Sequence, residues 1–159
     1  MRILGIDPGL NVTGYGVIDV ERDRCVHVHH GVVRTKPADG TAERLRAIRD
    51  GVREAAATWC AQAGAIEGSF VGTHARSAMA LGQARAAAIL GLADAGLPVF
   101  EYAPALVKQT VAGYGRGEKS QVAMMVRLQL GLAATPSPAD AADALAVAIT
   151  HWAHSRLER

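Results

Sequence analysis

Four carboxylates in this chain sit where a side chain can be held still. Asp7 closes the apolar run Ile3-Leu4-Gly5-Ile6, and Glu67 closes Ala65-Ile66 in the same way. Short apolar runs rich in branched residues read as buried strands, so each acid stands at a strand end, carried by the core and facing outward. Asp140 and Asp143 lie three apart in Ala139-Asp140-Ala141-Ala142-Asp143-Ala144-Leu145-Ala146, at the start of an apolar helix, and residues at i and i+3 share a face. Acids in such surroundings repel one another unless a cation stands between them. If the four converge they call for divalent ions, and an all-oxygen donor set with no need of Cys or His suits Mg²⁺ or Mn²⁺. Two such ions are the apparatus for in-line attack of water on a phosphodiester. Each acid also has a plainer use. Asp7 can shape the turn at Pro8-Gly9, and Asp140 or Asp143 can serve the helix N-terminus as cap or dipole partner.

A phosphodiester needs cations of its own. Between Tyr102 and Ala139 the chain carries Lys108, Arg116, Lys119 and Arg127 against Glu118 alone. Lys108, Arg116 and Lys119 would meet DNA phosphates beside the acids, although for each lysine taken singly a solvated surface charge is the better reading. Phe70 follows Glu67 after two small residues, and an exposed aromatic there can stack on an unpaired base; core packing is the competing use. Gly113-x-Gly-x-Gly-Glu-Lys-Ser120 looks like a phosphate loop, but Glu118 interrupts the pattern and no strand of the required kind precedes it. His151, two turns beyond Asp143, can approach the acids or serve as an ordinary polar group of the helix. His27, His29 and His30 fall on one predicted strand, where a His-x-His pair can bind metal; without a third ligand nearby, half-exposed strand histidines are the better reading.

The elements that must position these groups follow from periodicity. Strands are predicted at Ile3–Asp7, Thr13–Val20 and Cys25–Thr35, then a helix capped by Thr41 with Leu45, Ile48, Val52, Ala55 and Trp59 on one stripe. Gly64 ends that unit and Ala65–Glu67 forms the next strand. A helix rich in alanine spans His74 to Ala95, and its small residues suit a central helix or one at a subunit interface. Leu97–Tyr102 is a fifth strand, with Pro98 tolerated at its start. Pro104 opens a short helix, Glu118–Leu130 forms another, and the last runs from Ala139 to about Arg156. Three antiparallel strands followed by alternating helices and strands imply an α/β fold, a five-stranded mixed sheet with helices on both faces.

Size and composition bound the rest. The chain has 159 residues, half of them apolar, which is enough for one globular domain over 1–159. Its 17 Lys and Arg against 15 Asp and Glu leave a net charge of only +2, so a polyanion partner has to be argued from local clustering. Cys25 and Cys60 lack metal-ligand spacing and read as free thiols of a reducing compartment. No apolar stretch has the length of a membrane span, and the N-terminal run is too short for a signal peptide. A cytoplasmic location is expected.

The ordered set of motifs resembles the RuvC family of bacterial Holliday junction resolvases over nearly the whole chain. The stretches that carry the likeness are Gly5-Ile6-Asp7-Pro8-Gly9 with Thr13-Gly14-Tyr15-Gly16, Ala65-Ile66-Glu67, Leu81-Gly82-Gln83-Ala84-Arg85, Glu101-Tyr102, Val107-Lys108-Gln109-Thr110, Glu118-Lys119-Ser120-Gln121-Val122, and Ala139 to Ala146. The resemblance implies a ribonuclease H-like fold, a homodimer, and paired symmetric nicks across a four-way DNA junction. It implies two Mg²⁺ ions held by Asp7, Glu67, Asp140 and Asp143 as catalytic acids. Lys108 and Lys119 become the basic residues near the scissile phosphate, and Phe70 the aromatic at the crossover. It also implies cooperation with a branch-migration motor, RuvA and RuvB. His74 stands where the family usually has asparagine, and Gly68-Ser69 where bulkier residues often follow the glutamate; both bear on the loop with Phe70 and leave the acids intact.

Three other functions fit parts of the pattern. Sugar kinases and actin-like ATPases also begin with a strand ending in Asp-x-Gly, but need two such domains. A silent junction-binding module would have no use for four acids. A related nuclease acting on RNA would share the fold and the acids.

Overall fold

The computed structural model describes residues 1–68, 74–113 and 118–156. Five strands are arranged as one sheet: β1 (Arg2–Asp7), β2 (Val12–Glu21), β3 (Arg24–Arg34), β4 (Ala63–Glu67) and β5 (Val99–Tyr102). Their spatial order is β3-β2-β1-β4-β5. The first three pair antiparallel, while β4 lies parallel to β1 and β5 parallel to β4. The helices are α1 (Thr41–Thr58), α2 (Ala75–Asp94), α3 (Pro104–Ala112), α4 (Lys119–Gln129) and α5 (Ala139–Ser155). The mixed sheet expected from the order of periodicities is the one found.

Side-chain alternation along the strands sorts the core into two layers. Leu4, Ile6, Val17 and Ile66 pack with Ile48 and Val52 of α1 and Ala84, Ala88 and Leu92 of α2. Ile3, Ile18 and Ala65 pack on the other face with α3, α4 and the almost fully apolar α5. The second face matters for function. Asp7 lies two and four residues beyond Gly5 and Ile3, so it falls on the α5 side; Glu67 follows Ala65 onto that side by the same count.

What brings α5 down onto those acids is the absence of side chains beneath it. A Cβ on Gly5 would strike the Ala144 carbonyl oxygen and stand 2.7 Å from Ala148 N. One on Gly14, the partner of Asp7 across β1 and β2, would strike the backbone of Asp140. The helix backbone therefore rests directly on the sheet, and the sheet glycines set its height.

Two expectations about boundaries are corrected. Thr41 is the first residue of α1 rather than its cap; Gly40 occupies the cap position, with no side-chain hydrogen bond. Gly64 lies inside β4 instead of ending the preceding unit, because a Cβ there would meet Leu92 at 2.8 Å and glycine admits α2 to close contact. Trp59 follows the end of α1 and stacks on His29 with centroids 4.2 Å apart. Cys25 and Cys60 are both free thiols. Among the described residues no helix is long and apolar enough to cross a membrane.

Candidate active site

Asp7, the last residue of β1, and Glu67, the last of β4, stand side by side because their strands are parallel neighbours in register up to Ile6 and Ile66. Beyond Asp7 the chain turns, and the turn is pinned. Thr13, fully buried, donates its hydroxyl to the Gly9 carbonyl at 2.8 Å. Arg44 reaches over from α1 to donate to the Leu10 carbonyl and to Asn11. The turn-shaping role considered for Asp7 therefore falls to Thr13 and Arg44, which leaves the carboxylate free to face the pocket.

From the other side α5 supplies Asp140 in its first turn and Asp143 one turn further in, so only Asp140 is placed to meet the helix dipole. Asp7, Glu67, Asp143, Lys108 and Lys119 line one pocket of about 70 Å³, floored by Val107, Val122 and Ala146. Asp140 is not among its lining residues, although its charge acts on Asp7. α3 delivers Lys108 from a helix started by Pro104 and ended by Gly113 in the left-handed conformation at φ 86°. α4 delivers Lys119 from its first position; Glu118 precedes it as cap, its N–H donating to the Gln121 side chain at 3.0 Å. Gly113 thus closes one helix and Ser120 lies in the first turn of another, and the element before Gly113 is α3 rather than the strand that a phosphate loop requires. Phe70 and Arg116 lie outside the described residues.

The electrostatics are those of an acid cluster short of positive charge. Burial pushes the Asp7 carboxyl up from the usual 3.8 to about 8, and Glu67, Asp143 and Asp140 push the same way. Glu67 is also raised, by burial first and Asp143 second, while a hydrogen bond from Asp7 and the charges of Lys119 and Lys108 act to lower it. Lys119 Nζ lies 3.4 Å from Asp143 Oδ2, and Asp143 in turn raises the lysine. Among the described residues no three His, Cys, Asp or Glu side chains are already gathered as a metal-holding group; the acids are occupied with one another and with Lys119.

The histidines are half-buried residues of β3, as expected, and His27 and His29 do not share a face as a His-x-His pair would. The register of β2 and β3 shifts at Val17/Ile18, where His29 and His27 are the successive partners and Val28 is left unpaired. That bulge turns His27 and His30 to one side, their ring nitrogens 2.8 Å apart, and sends His29 to Trp59 on the other. His151 is not in the acid pocket. It is only 4% exposed, shares a 2.7 Å hydrogen bond with the Tyr102 hydroxyl, and stacks on Phe100. Glu101-Tyr102 stood out in the sequence only as a family motif, and the link of Tyr102 to α5, which crosses 49 residues, had no sequence signal.

Comparison with known proteins agrees with this geometry. The family model for crossover junction endodeoxyribonuclease RuvC matches residues 3–151. A Cupriavidus metallidurans protein of that name is 48% identical over 95% of this chain and 83% of its own. The solved structure of Thermus thermophilus RuvC in complex with a Holliday junction substrate superposes with a TM-score of 0.92 at 38% identity, covering 99% of this chain and 96% of that one. The yeast mitochondrial Holliday junction resolvase shares the fold, with a TM-score of 0.64 at 10% identity over 99% of this chain and 82% of that one. The ribonuclease H-like sheet is therefore shared with these proteins, and the chain belongs to the RuvC family of crossover junction endodeoxyribonucleases, enzymes that resolve Holliday junctions.

Proposed function

We propose that the protein, as a single nuclease domain over 1–159, cuts a four-way junction by hydrolysis at the pocket between β1, β4 and α5, with Asp7, Glu67, Asp140 and Asp143 as metal-holding catalytic acids. The observation that carries this is the crowding of half-buried carboxylates with too little positive charge to balance them. A group pushed from 3.8 to about 8 by burial and by its neighbours is one whose ionisation a divalent cation would favour. The donors are all carboxylate oxygens, which fits Mg²⁺, with Mn²⁺ as substitute. Two ions bound there would supply an activated water and a stabilised leaving oxygen. The chain's own part is to hold that chemistry rigidly at two strand ends, to exclude bulk water with Val107, Val122 and Ala146, and to bring Lys108 and Lys119 to the phosphate. Phe70 and Arg116 are assigned to junction contacts on the sequence pattern.

The direct test is a synthetic four-way junction with Mg²⁺. Paired symmetric nicks with ligatable ends are expected, and none in the presence of a chelator. Binding without cutting, across several junction sequences, would favour a junction-binding module instead; preference for an RNA duplex would favour the ribonuclease reading.

Lys119 separates catalysis from stability. Its side chain is 82% exposed, and an exposed ion pair contributes little to folding. Lys119→Ala should leave the melting temperature within a degree or two while slowing cleavage by roughly a hundredfold, the scale of losing one transition-state donor, with a modest loss of junction affinity. Unchanged cleavage would return Lys119 to the solvated surface.

Symmetric nicking needs two sites, and α2 offers the surface for a homodimer. Met79 and Leu90 on it are 66% and 54% exposed, and with Gln83 and Ala86 they follow helical spacing along an outer face. Leu45 and Arg49 of α1 border the same groove. Sedimentation is expected to give twice the chain mass, and Leu90→Glu to give the single-chain mass with nicks on the two strands no longer paired. A Leu90→Glu protein that still sediments as a dimer would move the interface elsewhere. The RuvA and RuvB partnership is proposed from the family alone.

A further inference from the structure

Tyr102 occupies a point where the elements bearing the acids are tied together. It is the register partner of Glu67 across β4 and β5, and its side chain is half-buried on the face covered by α5. Its carbonyl accepts the Gly68 N–H at 2.7 Å, which fixes the backbone immediately after Glu67. Gly68 is close-fitted there, since a Cβ on it would stand 3.3 Å from the same carbonyl. At its other end the Tyr102 hydroxyl shares the 2.7 Å hydrogen bond with His151 Nδ1. His151 lies on α5, the helix that carries Asp140 and Asp143, and is held from its other side by the ring of Phe100, 4.2 Å away. One residue therefore joins the strand end of Glu67 to the helix of Asp143, and none of its atoms lines the acid pocket.

We infer that Tyr102, through His151, is a positioning residue that sets the separation of Glu67 from the α5 acids and thereby the affinity of the site for divalent ions. The inference rests on the metal-holding reading of those acids. The physical reason is one of lever arms. β5 is the edge strand, with β4 as its one neighbour, and α5 is held at its N-terminal half by contact with Gly5 and Gly14. The tyrosine–histidine bond is a cross-tie that prevents Glu67 and its strand end from drifting away from α5. Groups that orient ligands from behind typically change metal affinity or activity by ten- to a hundredfold when lost.

The experiment measures Mn²⁺ binding to the DNA-free protein, from the loss of the free-ion EPR signal, alongside the Mg²⁺ dependence of junction cleavage. Tyr102→Phe is expected to weaken Mn²⁺ binding about tenfold. Its cleavage should need correspondingly more Mg²⁺, with the KM for the junction unchanged. His151→Leu removes the same bond from the helix side and should do the same, while His151→Asn, which keeps a side-chain nitrogen near the place of Nδ1, should recover most of the affinity. Thr110→Val is the comparison: it deletes a hydroxyl that lies 3.3 Å from His154 Nε2, a second bond onto α5, and it leaves the Tyr102–His151 bond in place although the His154 ring also tilts against Tyr102 at 5.7 Å. Mn²⁺ affinity in Thr110→Val should match wild type. Equal weakening by Thr110→Val would reduce the effect to general loosening and overturn the inference. Wild-type affinity in both Tyr102→Phe and His151→Leu would overturn it while leaving the acids as metal ligands. Failure of the wild-type protein to bind Mn²⁺ would remove both readings.

Discussion

Replacing Asp7 with asparagine should abolish junction cleavage, by roughly a thousandfold or more, and at the same time make the ion-free protein more stable at alkaline pH. The two effects have one origin. In the folded chain the Asp7 carboxyl is raised to about 8 from its ordinary 3.8, chiefly by burial and then by Glu67, Asp143 and Asp140. The folded state thus holds this proton more tightly than the unfolded state does. Between about pH 4 and pH 8 the unfolded chain has released the proton and the folded chain has not, so stability falls as pH rises through that window. Above pH 8 the folded protein carries a buried, repelled carboxylate at a cost on the order of a few kcal/mol.

Asparagine keeps the shape and carries no charge, so the penalty disappears. Thermal melts without divalent ions should place Asp7→Asn above wild type at pH 8.5 and nearer to it at pH 5. Adding Mg²⁺ should raise the wild-type melting temperature and move the variant much less. Junction binding should persist, since Lys108 and Lys119 are untouched. A variant that cuts at the wild-type rate would remove Asp7 from the chemistry; one destabilised equally at both pH values would show that Asp7 is not the strained acid of the pocket.

The divide between what could be read from the sequence and what could not follows the range of the interactions. An apolar run that ends in an acid states both the strand and the rigidity of its last side chain, so Asp7 and Glu67 were legible before any packing was known. The i, i+3 spacing of Asp140 and Asp143 was equally local. Gly64 was misread as a terminator because a glycine looks the same whether it breaks a strand or admits Leu92 to it. The histidines of β3 are half-buried strand residues as their sequence suggests, but which of them share a face was not legible, because a bulge at Val28 reverses the alternation and leaves no mark in a single sequence. The bond between Tyr102 and His151 was not legible for a third reason: it depends on how far α5 extends across the sheet, which is set by residues elsewhere.

Those residues are the sheet glycines, and Gly5→Ala should damage the protein out of proportion to one methyl group. The added carbon would strike the Ala144 carbonyl oxygen and lie 2.7 Å from Ala148 N and 2.9 Å from Ala148 Cβ. Two of these atoms are backbone, so no rotamer change relieves the contact, and α5 must lift from β1. Overpacking of this kind costs about 3 kcal/mol or more. The functional loss should be larger than the unfolding explains, because Asp140 and Asp143 ride on the helix that moves while Asp7 and Glu67 stay with the sheet. Displacement by about 1 Å is enough to cost on the order of a hundredfold in rate. The check is to measure cleavage at a temperature where the melt shows Gly5→Ala fully folded. A large rate deficit there places the fault in the distance between helix and sheet acids. Wild-type cleavage by the folded variant would mean that α5 can shift without carrying its acids out of reach, and the rigid-platform account of the site would fail.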